Sequence, residues 1–319
     1  MEYVGAGSVF EFPIYLYQSE KRENIEEMIS GMEHESIQFG GQKSNGCGYL
    51  AITKVLCKSF CMTEENERKL WYREDTMQEN EYENLSDTVK NRGQKTPAFE
   101  IIVKGKTEGE ILVKSLGVTD YDDNTPDCVN IQNAKKEYIV PGSSFKGAMR
   151  SQMEKIAAYL GKPEIIEDIF GRKADEHQKG KIGNVSFLDT VIGEKEANDN
   201  NHVVHRIRID KFTGGVRHTG LFEEKNAFGN MEFKINISNH NSPELSCGLL
   251  LMALRDLAIG TMSIGGGYNT GKGMIDVSAI EVNAIQKEQK AVIDFKNKSI
   301  LGDRQLVLEC LAEVEKGVS

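Results

Sequence analysis

The sequence predicts an α+β fold, and three observations predict it. Short runs of alternating apolar residues are separated by segments of helical periodicity, so strands and helices intermix along the chain. A strand–helix–glycine loop–strand order occurs twice. Gly40, Gly41, Gly46 and Gly48 fall on Gly265, Gly266, Gly271 and Gly273 without a gap, and Phe10-Glu11-Phe12 mirrors Met231-Glu232-Phe233. Only the second copy has a front half, which starts at residue 99. Residues 99–283 are therefore expected to form a complete domain, and 1–58 the C-terminal half of a second module.

In chain order, Val9–Tyr17 alternates like a strand, with Pro13 placing it at an edge or bulge. Residues 20–37 read as a helix with Ile25, Met28, Ile29 and Met32 on one face. A glycine loop at 39–48 runs into a second strand. Residues 59–98 are acidic and polar and read as a linker or surface insertion, part of which docks through Trp71 and Tyr72. Phe99–Lys106 is a strand, with Glu110–Lys114 its hairpin partner or continuation. Tyr138–Val140 is a short strand that Pro141 and Gly142 break before an amphipathic helix with Phe145, Met149, Ile156 and Leu160 on its core face. Ile165–Phe170 is a short helix, Asn184–Asp189 a strand, and 200–222 a long loop or hairpin. Met231–Ile237 is a strand, Leu245–Ile259 an apolar helix and Ile264–Val277 the second glycine loop and its strand. The tail, 284–319, reads as helical.

The chain has 319 residues, 39% hydrophobic content and a net charge of −10, which suits a soluble globular protein with at most a local basic groove. No apolar run reaches transmembrane length, and the first residues lack a basic-then-apolar pattern, so no membrane association is expected. The six cysteines, Cys47, Cys57, Cys61, Cys128, Cys247 and Cys310, are scattered; free thiols in a reducing cytoplasm are the expectation.

Two stretches carry local positive charge. In Pro141–Arg150, Ser143 or Ser144 can cap the helix, and Lys146 and Arg150 sit four apart in its first turns. Cations are misplaced at a helix N-terminus unless an anion is to be held there, so the stretch reads as a phosphate grip or an ordinary solvated helix start. The second stretch, His205–Phe222, holds Arg206, Arg208, Lys211, Arg217 and His218. The glycine loop is no P-loop. Gly266–Lys272 fits the glycine–lysine spacing, but Gly273 stands where a Ser or Thr hydroxyl is needed, and helix and strand flank it in the wrong order. It reads as a tight turn and as a place where backbone approaches a phosphodiester chain, with Gly266, Gly267, Tyr268 and Lys272 at hand. Asp199, His202 and His205 have weak metal spacing and read as exposed loop residues.

Four stretches resemble the RAMP superfamily, the repeat-associated proteins of CRISPR effector complexes. They are Ile139–Gly147, Asn184–Asp189, Arg208-Ile209-Asp210-Lys211-Phe212-Thr213-Gly214-Gly215, and Ile264–Val277, in the family's order. The closest type is the backbone subunit of type III complexes. The resemblance implies a modified ferredoxin-like or RRM-type domain with long insertions, preceded here by the half-module. It implies CRISPR RNA, target single-stranded RNA and other RAMP-type subunits as partners. Ser143, Ser144, Lys146, Arg150, Arg206, Arg208, Lys211, Thr213, Arg217, Gly266, Gly267, Tyr268 and Lys272 are then RNA-binding candidates, and 200–222 resembles the family's thumb-like hairpin. It further implies target-RNA cleavage by a loop aspartate with Mg²⁺ or Mn²⁺. Asp127 lies close to the family's position, with Asp120, Asp122 and Asp123 as rivals. RNA binding itself needs no cofactor. The alternative is a non-catalytic subunit that caps a filament of such modules.

Overall fold

A computed structural model describes residues 4, 7–17, 21–34, 37, 39–41, 48–73, 77–92, 97–115, 126–133, 135–175, 178–193, 203–239 and 242–316. Asp120, Asp122, Asp123, Asp199 and His202 lie outside the described residues, as does most of the first glycine loop, Gly46 and Cys47 included. The chain divides into two compact units, one of residues 1–43 and 47–96 and one of residues 44–46 and 97–319.

The first unit contains α1 (Arg22–Glu33), β1 (Leu56–Cys57), α2 (Glu65–Trp71), β2 (Glu83–Asn84) and α3 (Ser86–Asn91). The Glu26 carboxylate takes Arg22 from its own helix and Arg92 from the end of α3, and Arg22 also reaches Glu83 at 3.0 Å. β1 and β2 pair antiparallel. The Ser86 hydroxyl accepts the Val55 N–H at 2.9 Å, and Leu85 and Val89 are buried. The acidic segment thus supplies a strand and two helices to this unit. Trp71 packs edge-on against Tyr15 and Phe60, at 5.5 and 5.3 Å between ring centres, whereas Tyr72 is exposed. Val9–Tyr17, expected as a strand, belongs to none, because alternation alone gives no partner to pair with.

The second unit is built on β3 (Pro97–Glu108). It continues with β4 (Cys128–Val129), β5 (Ile139–Val140), α4 (Gly142–Tyr159), α5 (Ile165–Phe170), β6 (Val185–Phe187), β7 (Thr190–Val191), β8 (Val203–Ile209), β9 (Val216–Lys225) and β10 (Asn230–Ser238). Then come α6 (Pro243–Ala258), β11 (Met274–Ala284), β12 (Gln289–Asp294), β13 (Ser299–Gly302) and α7 (Arg304–Lys316). The main elements β3, α4, β6, β10, α6 and β11 run β-α-β-β-α-β, a ferredoxin-like connectivity. The sheet order is β13-β12-β11-β3-β10-β6, antiparallel throughout, with β11 and β3 central.

Register explains the core. Val103 lies between Phe233 and Ile280, and Ile101 between Ile235 and Val282, so three strands put apolar side chains on one face. All six are buried, and full burial of each such side chain is worth about 1.5–3 kcal/mol. Phe145, Met149, Met153 and Ala157, one helical turn apart along α4, cover that face. Phe145 meets Phe233 at 4.4 Å and Phe187 edge-on at 5.4 Å. α6 adds Leu250, Leu254 and Leu257.

Two expectations are corrected here. The tail is not helical from its start: β12 and β13 form a hairpin on the edge of β11, and only α7 is helix. The hairpin turns have left-handed Glu288 and Lys298. Glu110–Lys114 is not a strand of the sheet. Ile111 and Lys114 make single bridges to Ala227 and Asn130, and the segment backs the glycine loop, whose Gly266 and Gly273 N–H groups donate to the Leu112 and Glu110 carbonyls at 2.8 and 2.9 Å.

Candidate functional site

β8 and β9 form a long antiparallel hairpin with cross-strand pairs His205–Glu223, Arg206–Phe222, Ile207–Leu221 and Ile209–Val216. Side chains alternate across it, so Ile207, Ile209, Val216 and Leu221 share exposure to solvent. Phe212 at the tip is 88% exposed. Such an apolar row on a monomer signals a binding surface. Arg208, Lys211, Arg217 and His218 are also exposed. The Arg208 guanidinium lies 5.2 Å from the Phe222 ring centre, and the Lys211 ammonium 5.3 Å from that of Phe212, so both cations stack on apolar faces.

The tip is organised by Asp210, which the sequence reading passed over. Its carboxylate accepts the Phe212 and Thr213 N–H groups at 2.9 and 3.0 Å and the Thr213 hydroxyl at 3.3 Å. Those bonds, from Thr213 and then Phe212, hold the carboxyl below the usual range. Thr213, expected to meet RNA, is occupied in the turn. An aspartate bonding the backbone two residues on is a local signal that could have revealed this.

At the hairpin root sits Glu224. The ammonium of Lys272 donates to its carboxylate and, at 2.9 Å, to Asn226 Oδ1, while Arg206 Nε lies 2.7 Å from Glu224 Oε2. Burial pushes the Glu224 carboxyl up, but Lys272 and Arg206 outweigh it and hold it below the usual carboxylate range. Lys272, expected beside a phosphodiester chain, is 3% exposed and turned inward. The correction has a physical reason: a buried carboxylate needs a cation, and the glycine loop delivers one. Tyr268, in a short 3-10 turn, is 55% exposed. Gly266 and Gly267 are solvent-accessible, though the Gly266 N–H is committed to Leu112.

The helix start differs from expectation too. Neither Ser143 nor Ser144 caps α4; Pro141 is the capping position, and the Gly142 N–H donates to the Asp189 carboxylate at 2.7 Å. A carboxylate from beyond β6 thus already complements the positive helix end. Only glycine fits at 142, since a Cβ there would lie 2.1 Å from the Phe187 carbonyl oxygen. Lys146 is half-buried, and burial, then Arg150, lowers its pKa. Arg150 pairs with Glu154 at 2.9 Å and lies 5.8 Å from the Phe170 ring centre.

Asp127 is exposed, and its carboxylate accepts the Glu223 N–H at 2.8 Å, just before β4 pairs in parallel with β9. Asp127, Arg206 and Lys272 therefore converge on the hairpin root at Glu223 and Glu224, while Lys146 and Arg150 stand on α4. Among the described residues no three His, Cys, Asp or Glu side chains group as metal ligands. Mg²⁺ bound through one carboxylate and substrate phosphates needs no such group, and Asp127 fits that limited role. Among the described residues no helix is long and apolar enough to cross a membrane.

A family model described as RAMP superfamily matches residues 69–276. Solved structures similar to this chain include a chain of a Type III-B Cmr-beta complex in the apo state. Its TM-score is 0.42, with 14% identity, covering 57% of this chain and 97% of that one. A chain of Type III-B Cmr-beta bound to cognate target RNA has a TM-score of 0.41 and 13% identity, with the same coverage of each. No curated protein matches.

Proposed function

The chain belongs to the RAMP superfamily, and from that premise we propose that it is the guide-RNA-binding backbone subunit of a type III CRISPR effector complex. The observation that carries the reading is the β8–β9 hairpin. It couples exposed Arg208, Lys211 and Arg217 to an exposed apolar row and a protruding Phe212, on a chain whose net charge is −10. Single-stranded RNA is held by cations that track phosphates and by apolar or aromatic groups against bases. The cations position RNA without reading it, so the guide is bound with slight sequence preference.

Replacing Arg208, Lys211 and Arg217 together by alanine is expected to weaken single-stranded RNA binding and to flatten its salt dependence by about two units of log–log slope. Lys146→Ala with Arg150→Ala should remove about one to two units. Titrating a labelled RNA at 50–200 mM salt reads both variants. Unchanged affinity in a folded hairpin variant would refute the reading.

Asp127 supports a second activity, cleavage of target RNA. Mg²⁺ or Mn²⁺, when bound there with a substrate phosphate, would supply charge neutralisation. Asp127 itself would hold that cation, fixed in place by the Glu223 N–H. In the assembled complex Asp127→Ala is expected to abolish cleavage and leave guide binding within twofold. Persisting cleavage would move the role to Asp120, Asp122 or Asp123, and no cleavage by the wild type would leave a scaffold or a filament cap.

A further inference from the structure

The exposed face of the β8–β9 hairpin ends in a histidine. In the root half of the ladder Ile207 opposes Leu221, His205 opposes Glu223 and Val203 opposes Lys225, so these side chains share one face. The apolar row therefore runs down to His205 and Glu223, while Arg206 and its partner Glu224 take the opposite face. His205 Nδ1 lies 3.1 Å from Glu223 Oε1, and the His205 side chain is 66% exposed. Along the other edge of β9, the Glu223 N–H donates to the Asp127 carboxylate at 2.8 Å. One residue thus touches both the imidazole and the aspartate proposed to hold a cation.

The pairing fixes what the ring can do. An ionised carboxylate only accepts, so the hydrogen between Glu223 and His205 sits on Nδ1. In the neutral ring Nε2 then carries the lone pair, and Glu223 sets both tautomer and orientation. A proton acceptor oriented by a carboxylate is the arrangement of a general base. An exposed pair of this kind adds little stability. Its place is what distinguishes it, because here the apolar row and Asp127 meet. RNA bases laid on the row would carry their sugars and phosphates along its border, past both groups.

We infer that His205 is the general base of target-RNA cleavage, taking the proton of the ribose 2′-hydroxyl beside the scissile phosphate. The inference rests on the cleavage proposed above. The proton passes from O2′ to Nε2 while the O2′–P bond forms and the P–O5′ bond breaks. The departing 5′-oxygen takes a proton from water, and the imidazolium gives its own to the hydroxide left behind. The products are a 2′,3′-cyclic phosphate and a 5′-hydroxyl. The charged groups facing the imidazole are Glu223 opposite and Lys225 on the diagonal, with Asp127 at the far edge of β9. Asp127 keeps the role of holding the cation, so the two residues can be tested apart.

Single-turnover cleavage by the assembled complex, followed across pH at saturating Mg²⁺, tests this. The wild-type rate is expected to rise about tenfold per pH unit in acid and then level off. His205→Ala should lose about 10²–10⁴-fold at the plateau, and the acid limb with it, while guide and target RNA bind within about threefold. A second readout needs neither RNA nor metal. Nitrogen-15 spectra of the histidine-labelled full chain should show His205 as the Nδ1-protonated tautomer, and Glu223→Gln should turn it into a mixture. The His205 signal is assigned by its loss in His205→Ala. Cleavage at the wild-type rate by His205→Ala, or survival of its acid limb, overturns the inference and leaves cleavage to Asp127. An Nε2-protonated His205 in the wild type overturns it as well. So does loss of RNA binding in His205→Ala, which would make the residue a contact for RNA rather than a base. A wild-type complex that does not cleave refutes the cleavage reading itself and the inference with it.

Discussion

Lys272→Ala is expected to cost about 1–3 kcal/mol of stability, because it removes the buried one of the two cations on the Glu224 carboxylate. Glu224 would keep Arg206 as its cation but lose the buried one, and Asn226 Oδ1 would lose its donor, since the Asn226 amide nitrogen already donates to Glu110. Urea denaturation should show a lower midpoint at an unchanged slope. The pair Lys272→Met with Glu224→Gln should lose less, since it leaves no buried charge and the charge of Arg206 is part-exposed to solvent. The sign of the pH dependence follows from the depressed Glu224 carboxyl. Its stabilisation is complete above the unfolded carboxylate pKa, about 4.3, and disappears as pH falls through the lower folded value. The gap between wild type and Glu224→Gln should therefore narrow in acid. Lys272 also ties the glycine loop to the hairpin root, so Lys272→Ala should weaken RNA binding with an unchanged salt slope. A reduced slope would return Lys272 to contact with phosphate, and a loss below about 0.5 kcal/mol would contradict the buried pair.

What the sequence reveals here depends on whether the deciding interaction is local. β3, β10, α4 and α6 were legible because alternation and helical periodicity describe the apolar face of one element. Val9–Leu16 has the same alternation as β10 and forms no strand, since periodicity reports a face and not a partner. In the tail, Gln289–Asp294 and Ser299–Gly302 read as helix because the hairpin is half exposed and its polar side masks the period. Ser143 and Ser144 were reasonable caps by type, but the carboxylate that takes the Gly142 N–H comes from Asp189, beyond β6. The ion pairs of Glu224 are likewise long-range, and no spacing rule reaches them. The hairpin was legible as a basic segment. Its exposed apolar row became visible only once β8 and β9 were placed in register.

Gly273→Ala is expected to be strongly destabilising, and it separates two roles of the glycine loop. Gly273 has a φ of 79°, and a Cβ there would lie 2.2 Å from the Ile264 carbonyl oxygen. Backbone must move to relieve that contact, and the same backbone is pinned by the Gly273 N–H to Glu110 and by the Ile264 N–H to the Gly273 carbonyl, both at 2.9 Å. It also leads directly into Met274 and the β11–β3 ladder. Left-handed strain and overpacking together should cost about 2–5 kcal/mol, read as a drop in Tm. Gly271 is the contrast. Its φ is 76°, but a Cβ there meets nothing within 4 Å, so Gly271→Ala should cost only about 1–2 kcal/mol. If the loop glycines also let RNA backbone approach, Gly271→Ala will weaken RNA binding out of proportion to its small loss of stability. If their role is the turn alone, Gly271→Ala will bind like wild type while Gly273→Ala fails to fold. A Gly273→Ala protein that melts with the wild type would contradict the close approach to Ile264 on which the turn depends.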